Sequence, residues 1–261
     1  MERRHALLVE CDPGQTLGGS CKRDVENMAA QLIANGLMLK HNIHLLTTRV
    51  DRSRLSILQD IPRDDSANLF NVFDTIMERR PEFVLVLLTG HGYSIADVSG
   101  DETDSRDEAI AVSARMVTDD EIYSRIVCRL DCRAILLADT CHSGTMFDLP
   151  WTWNGQWIHS TRRQDAIISP AIFAVSFSAC HDSQLSMCDI GDKTGFGGSL
   201  TIAILNLDGL LNDLIVSSWT NGGPNCESQS GHNWVAIRAR LQERLALLGQ
   251  TVVLSATQKI E

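Results

Sequence analysis

Residues 83–92 read Phe-Val-Leu-Val-Leu-Leu-Thr-Gly-His-Gly, and residues 134–144 read Ala-Ile-Leu-Leu-Ala-Asp-Thr-Cys-His-Ser-Gly. In each, a run of strand length that is apolar throughout stops at a polar, glycine-containing turn. A strand without polar alternation is covered on both faces, as in the middle of a parallel sheet flanked by helices. Further strand-length runs fall at 5–9, 43–48, 172–178 and 252–255, and helical periodicity occupies 22–40, 66–79, 119–129, 198–211 and 232–248. In the last of these, Trp234, Ile237, Leu241, Leu245 and Leu248 share one face and Gly249 closes the helix. Strands alternating with helices predict βαβ units and an α/β fold, with a mostly parallel six-stranded sheet and helices on both faces. Two long connections interrupt the rhythm: 92–118, which carries Asp101, Glu102, Asp104, Asp107 and Glu108, and the polar segment 149–170 with its three tryptophans.

Composition narrows the function classes. The 261 residues are 44% hydrophobic and 21% charged, enough for one sizeable core and unlike a fibrous or disordered chain. The formal net charge is -10, from 23 Lys and Arg against 33 Asp and Glu, which argues against a nucleic-acid partner held by bulk electrostatics and favours cationic or neutral ones. Eight cysteines occur without an apolar stretch of signal-peptide length near Met1, so reduced thiols and a cytoplasmic location are expected. No run approaches the ~20 apolar residues of a membrane span, so no membrane partner is expected.

Both deciding stretches end where ligands bind in a parallel α/β sheet, beyond the carboxyl ends of the strands. His91 and Cys141, far apart in sequence, can therefore meet in space. A thiol beside an imidazole is a nucleophile with its base, and Gly90, Gly92 and Gly144 allow close backbone approach and N–H groups aimed at an oxyanion. Each signal alone has a structural reading: a lone Cys is most often a small buried hydrophobe, and a His beside glycine is usually incidental. His142 is a rival base, but neighbours on a strand-to-loop turn point apart, which favours His91. Cys128 and Cys132 lack the second pair that a zinc site needs.

Several ordered segments resemble the metacaspases. Leu87-Leu-Thr-Gly-His-Gly, Gly100-Asp-Glu-Thr-Asp-Ser-Arg-Asp-Glu, Val117-Thr-Asp-Asp-Glu-Ile and Asp139-Thr-Cys-His-Ser-Gly-Thr-Met-Phe-Asp-Leu-Pro are similar to their large-subunit region. Val175-Ser-Phe-Ser-Ala-Cys-His-Asp-Ser-Gln and Thr194-Gly-Phe-Gly-Gly-Ser-Leu are similar to the small-subunit region, and Leu17-Gly-Gly-Ser-Cys-Lys-Arg-Asp-Val to the family's Gly-Cys-x-x-Asp segment. The resemblance implies a single caspase-like domain over 1–261, with a large-subunit-like region at 1–149, an intersubunit-like linker at 150–170 and a small-subunit-like region at 171–261. It implies a cysteine endopeptidase that cleaves after Arg or Lys, with Cys141 as nucleophile, His91 as general base, and the Gly92 and Cys141 backbone N–H groups as oxyanion hole. Asp24, Asp139, Cys21 and Thr89 match pocket-lining positions; two carboxylates there would pair with a guanidinium or ammonium and repel an acidic side chain.

The resemblance further implies calcium activation through Asp107, Asp119, Asp120 and Asp148, hard oxygen donors suited to Ca²⁺ although no EF-hand pattern is present. By default, an acidic run such as 101–108 is a solvated loop. Arg162, Arg163 and Lys193 are the expected autoprocessing positions, basic residues that the enzyme's own pocket would accept. The chain departs from the family in reading Val9-Glu10-Cys11-Asp12 where members usually have Gly-Ile-Asn and in a short 108–118 segment without Pro-x-Asp; a type I-like arrangement without a prodomain is expected. A monomer acting on basic protein or peptide substrates is expected. The alternatives are a catalytically weak homologue serving as an adaptor or aggregate-binding module, and a thiol hydrolase acting on esters or non-basic peptides.

Overall fold

The structure, a computed structural model, describes residues 2–47, 68–97, 100, 105–112, 115–160, 172–187, 197–220 and 231–260. In chain order its elements are β1 (Arg4–Cys11), α1 (Ser20–Ala34), β2 (Ile43–Leu46), α2 (Leu69–Glu78), β3 (Phe83–Gly90), β4 (Gly92–Ala96), β5 (Arg106–Val112), β6 (Arg115–Thr118), α3 (Asp119–Arg125), β7 (Arg133–Thr140), β8 (Trp151–Trp153), β9 (Trp157–His159), β10 (Ala174–Ser178), α4 (Ser199–Asn206), α5 (Leu210–Thr220), α6 (Gly231–Leu245) and β11 (Val253–Ala256).

All six expected strands are present in one sheet of order β2-β1-β3-β7-β10-β11-β8-β9. The first five strands of that order run parallel, and β11, β8 and β9 extend the far side antiparallel. Every residue of β3 is buried because successive side chains enter opposite apolar layers. Leu85 and Leu87 pack with Met28 and Leu32 of α1, Leu200 of α4, and Trp234 and Leu241 of α6. Val84, Val86 and Leu88 pack with Phe70 and Phe73 of α2, Ile110 of β5 and Ile122 of α3. Each such fully buried aliphatic side chain contributes roughly 1.5–3 kcal/mol relative to exposure, which holds the central strands and hence their carboxyl ends in place.

The structure refines the sequence expectations where local chemistry intervenes. The 92–118 connection is not a bare loop: β4, β5 and β6 form a separate antiparallel sheet within it. The β8–β9 hairpin lies inside the 150–170 stretch and adds two strands to the six expected, with Trp153 opposite Trp157. The expected helix over 198–211 is two helices that meet at 92°, with the turn made at Gly209 (φ 72°). The helix expected to reach residue 40 ends at Ala34, where Gly36 (φ 65°) turns the chain. Thr118 and Glu121 form a reciprocal capping box that starts α3.

Among the described residues no single helix is long and apolar enough to cross a membrane. The bent pair formed by α4 and the first part of α5 passes on length and composition together, but Leu200, Ile202, Leu210, Leu214 and Ile215 are buried in the protein core.

Candidate active site

Thr89 pairs with Asp139 and Gly90 with Thr140 at the ends of the parallel neighbours β3 and β7. The next residues, His91 and Cys141, therefore leave the sheet side by side. On the other flank, the His91 N–H donates to the Cys11 carbonyl at 2.9 Å. Two glycines make this approach possible. Gly90 has φ 139°, and a Cβ on it would lie 2.6 Å from the Cys11 carbonyl carbon; a Cβ on Gly92 would lie 1.8 Å from the Cys141 carbonyl oxygen. His91 is thus held between the backbones of β1 and β7.

Cys141 is half-buried, and its thiol faces the Ser186 carbonyl oxygen at 3.7 Å. No disulfide joins the six described cysteines. Burial pushes the Cys180 thiol up to about 11 and the Cys132 thiol up to about 12, so neither supplies thiolate near neutral pH. His142 turns away from the base role: its Nδ1 bonds the Asp182 carbonyl, and its N–H donates to the Gln184 carbonyl at 3.0 Å, with φ at 52°. The Asp182 carboxylate accepts from the Thr145 N–H at 2.9 Å, tying the turn after Cys141 to residues 181–184.

Asp24 and Asp139, both buried, flank Gly197 and Gly198. Asp24 Oδ2 accepts from Thr89 Oγ1 at 2.9 Å and from the Gly198 N–H at 2.8 Å. Asp139 Oδ2 accepts from the Thr201 N–H at 2.7 Å, in the first turn of α4, and its Oδ1 accepts from Ser186 Oγ at 3.1 Å. Burial raises the Asp139 carboxyl above the usual carboxylate range, partly offset by the donors from Thr201, Leu200 and Ser186. Three of the four expected pocket residues are therefore brought together. Cys21 is buried one turn before Asp24 on α1, its thiol 3.6 Å from Ser20 Oγ.

Asp119 and Asp120 open α3, Asp107 lies on β5, and Asp148 follows the turn after Cys141. Asp119, Asp107 and Asp148 are buried, Asp120 is half-buried, and Glu108, absent from the expected set, is buried with them. Asp119 Oδ2 accepts from the Glu108 N–H at 3.2 Å, and Thr145 Oγ1 donates to Glu108 Oε2 at 2.6 Å. Burial, then the charges of Asp148 and Glu108, push the Asp119 carboxyl up to about 9. Among the described residues, no three His, Cys, Asp or Glu side chains converge as a ready ligand set. Arg162, Arg163 and Lys193 lie outside the described residues.

Sequence reasoning passed over Asp12 and Thr16, which face His91. The His91 Nε2 lies 2.6 Å from Thr16 Oγ1 and 3.6 Å from Asp12 Oδ1. The departure at Val9-Glu10-Cys11-Asp12 was the available signal, an acid at a strand's carboxyl end. A cavity of about 430 Å³ bordered by Trp153, His159, His181 and Arg238 contains none of the expected site residues.

Comparison with known proteins adds three findings. The family model described as metacaspase, peptidase C14 domain, matches residues 4–150. Metacaspase-1 of Scheffersomyces stipitis is 34% identical over 164 residues, covering 58% of this chain and 38% of the relative. Metacaspase-1B of Aspergillus fumigatus is 32% identical over 168 residues, covering 60% of this chain and 39% of the relative. The matched stretch thus spans well under half the length of these curated relatives. The crystal structure of protein GSU0716 from Geobacter sulfurreducens superposes with a TM-score of 0.57 at 18% identity, covering 99% of this chain and 95% of that one, a likeness of fold.

Proposed function

The chain belongs to the metacaspase family of caspase-like cysteine peptidases, and from that premise we propose that it hydrolyses peptide bonds after Arg or Lys through Cys141 and His91. The observation that carries this reading is the packing of Gly92 against the Cys141 backbone, which sets an imidazole-bearing strand end beside a thiol-bearing one. His91 takes the thiol proton and Cys141 attacks the substrate carbonyl. The Gly92 and Cys141 N–H groups receive the oxyanion, and water then releases the acyl-enzyme. Asp24 and Asp139 support selection of a cationic side chain, since two carboxylates near one site attract a guanidinium and repel an acidic residue.

The acidic group beside α3 fits a hard divalent cation in donor chemistry. Burial and the charges of Asp148 and Glu108 raise the cost of ionising Asp119, a cost that Ca²⁺ would reverse. Asp107 and Asp120 complete the proposed set, and bound calcium would supply charge neutralisation that orders the β5–α3 region against the turn after Cys141. Autoprocessing at Arg162, Arg163 or Lys193 would separate the large-subunit-like and small-subunit-like regions, and basic protein or peptide substrates would meet the enzyme as a monomer.

A panel of fluorogenic peptides varied at the residue before the scissile bond, run with and without Ca²⁺, tests the reading. Turnover confined to Arg and Lys and abolished by Cys141→Ala is expected. Turnover unchanged in Cys141→Ala would end it, and binding of unfolded protein with no turnover would favour the adaptor alternative.

A further inference from the structure

Asp12 closes the first strand with its side chain 1% exposed. Its Oδ1 accepts from the Thr16 N–H at 2.9 Å and from Thr16 Oγ1 at 3.0 Å, and its Oδ2 accepts from the Leu17 N–H at 2.9 Å. Thr16 Oγ1 in turn lies 2.6 Å from His91 Nε2. The direction of these bonds follows from donor inventory. A carboxylate only accepts, so the Thr16 hydroxyl proton is aimed at Asp12, and the hydroxyl oxygen is left to accept from His91. Nε2 therefore carries the ring proton, and Nδ1 is the ring nitrogen left with a lone pair that can accept a proton.

From this arrangement we infer that Asp12 is a positioning residue which, through Thr16, fixes the tautomer and orientation of His91 and stabilises the imidazolium formed when His91 deprotonates Cys141. In that step the proton leaves Cys141 Sγ for His91 Nδ1, the Nε2 proton stays in place, and the Thr16 oxygen and Asp12 carboxylate accept throughout. The inference rests on the reading of Cys141 and His91 as nucleophile and base. It adds a role for the acid at the end of the first strand.

Asp12 also holds the turn over residues 12–17 through two backbone N–H groups, so a test must separate tethering of the turn from control of the imidazole. Thr16→Val removes the relay hydroxyl at constant shape and leaves both backbone bonds to Asp12. The rate of Cys141 alkylation by iodoacetamide, followed by peptide mass spectrometry on the full chain from about pH 5 to 9, reads the activated thiol without assuming any substrate. Turnover of an Arg-containing peptide supplies kcat and KM. Thr16→Val and Asp12→Asn are each expected to slow alkylation and lower kcat by at least about tenfold with KM within about twofold, and Thr16→Ser to restore wild-type behaviour. A Thr16→Val protein alkylated at the wild-type rate with the wild-type pH profile would overturn the inference, whatever Asp12→Asn does to folding. If the wild-type chain cleaves none of the peptides, the specificity reading fails, and the alkylation comparison alone decides the role of Asp12.

Discussion

Gln250 donates its side-chain amide to Ser199 Oγ at 2.9 Å, joining the segment after the last helix to the first residue of α4. The same amide reaches the Ala179 carbonyl at 3.1 Å and Ser186 Oγ at 3.3 Å, while its oxygen accepts from the Met187 N–H at 3.3 Å. Ser186 in turn donates to Asp139. One buried amide thus organises the strand-end segment that carries Ser186, whose carbonyl faces the Cys141 thiol. Gln250→Ala would remove these hydrogen bonds, the amide's donation to the Ala179 carbonyl among them, at a cost of about 2 kcal/mol in stability. It is expected to lower the melting temperature and raise KM for an Arg peptide several-fold, checked by thermal denaturation alongside kinetics; an unchanged KM would detach this network from the pocket.

Asp24 and Asp139 give a charge-specific prediction. Replacing either by Asn keeps the shape and removes a negative charge, and loss of one charge-assisted contact of about 1.5–3 kcal/mol corresponds to roughly ten- to a hundredfold in KM for Arg or Lys peptides. The pH dependence has a fixed sign. Because burial raises the Asp139 carboxyl, affinity for a cationic side chain improves as pH rises through its titration. The stability contributed by its protonated form is lost over the same interval. A KM for Arg peptides that worsens with rising pH on the acid side of the optimum would contradict this assignment.

Gly92 tolerates no side chain, since an added Cβ would overlap the Cys141 carbonyl oxygen. Gly92→Ala must push β4 away from β7 and misplace both His91 and the N–H proposed for the oxyanion. A loss of kcat of at least about a hundredfold is expected, in the range seen when an oxyanion donor is removed. Retention of wild-type kcat in a folded Gly92→Ala protein would show that the His91 and Cys141 segments are not held as described.

The central strands and the placement of His91 and Cys141 at neighbouring strand ends are legible because their signals are local: continuous apolar runs ending in Thr-Gly-His-Gly and Asp-Thr-Cys-His. What escaped depends on long-range contact. β5 carries Asp107 and Glu108 in buried positions, which in sequence resemble a solvated loop; Asp119 and Thr145 accompany them only after folding. β8 and β9 have three residues each, too short for alternation to register, and depend on pairing such as Trp151 with His159 and Trp153 with Trp157. Asp24 and Asp139 meet across Gly198, whose N–H lies 174 residues beyond Asp24 in sequence. Thr16 carries no sequence signal at all; only its distance to His91 gives it a role.

His5 on β1 and His44 on β2 stack with ring centroids 6.0 Å apart, and neither His5 Nδ1 nor His44 Nε2 has a hydrogen-bond partner among the described residues. Burial, reinforced by Arg79, lowers both to about 4. The unfolded chain therefore takes up protons that the folded one refuses, and stability present above the ordinary histidine range is lost as pH falls toward about 4. His5→Phe is expected to flatten the fall in melting temperature between pH ~6.5 and ~4. An unchanged slope in that window would place the acid sensitivity elsewhere.

Asp119 links the calcium proposal to a measurable sign. Its carboxyl is pushed up to about 9 by burial and by Asp148 and Glu108, so without a cation the folded state holds a proton that the unfolded chain releases near the ordinary carboxylate value. The stability this proton contributes is complete below the unfolded value and declines as pH rises through about 9. Asp119→Asn, neutral at every pH, is therefore expected to equal or exceed the wild type at neutral pH in chelator and to remove part of the decline between the ordinary carboxylate value and about 9. Calcium reverses the comparison: saturation at a hundred times Kd stabilises a bound fold by about 2.7 kcal/mol, or roughly 5–10 °C for a chain of this size. The wild-type melting temperature should rise with Ca²⁺ by that order, and more at higher pH, while Asp119→Asn shows little response. Equal calcium shifts in the two proteins would move the cation away from Asp119, and no shift in either would remove calcium from the account of this fold.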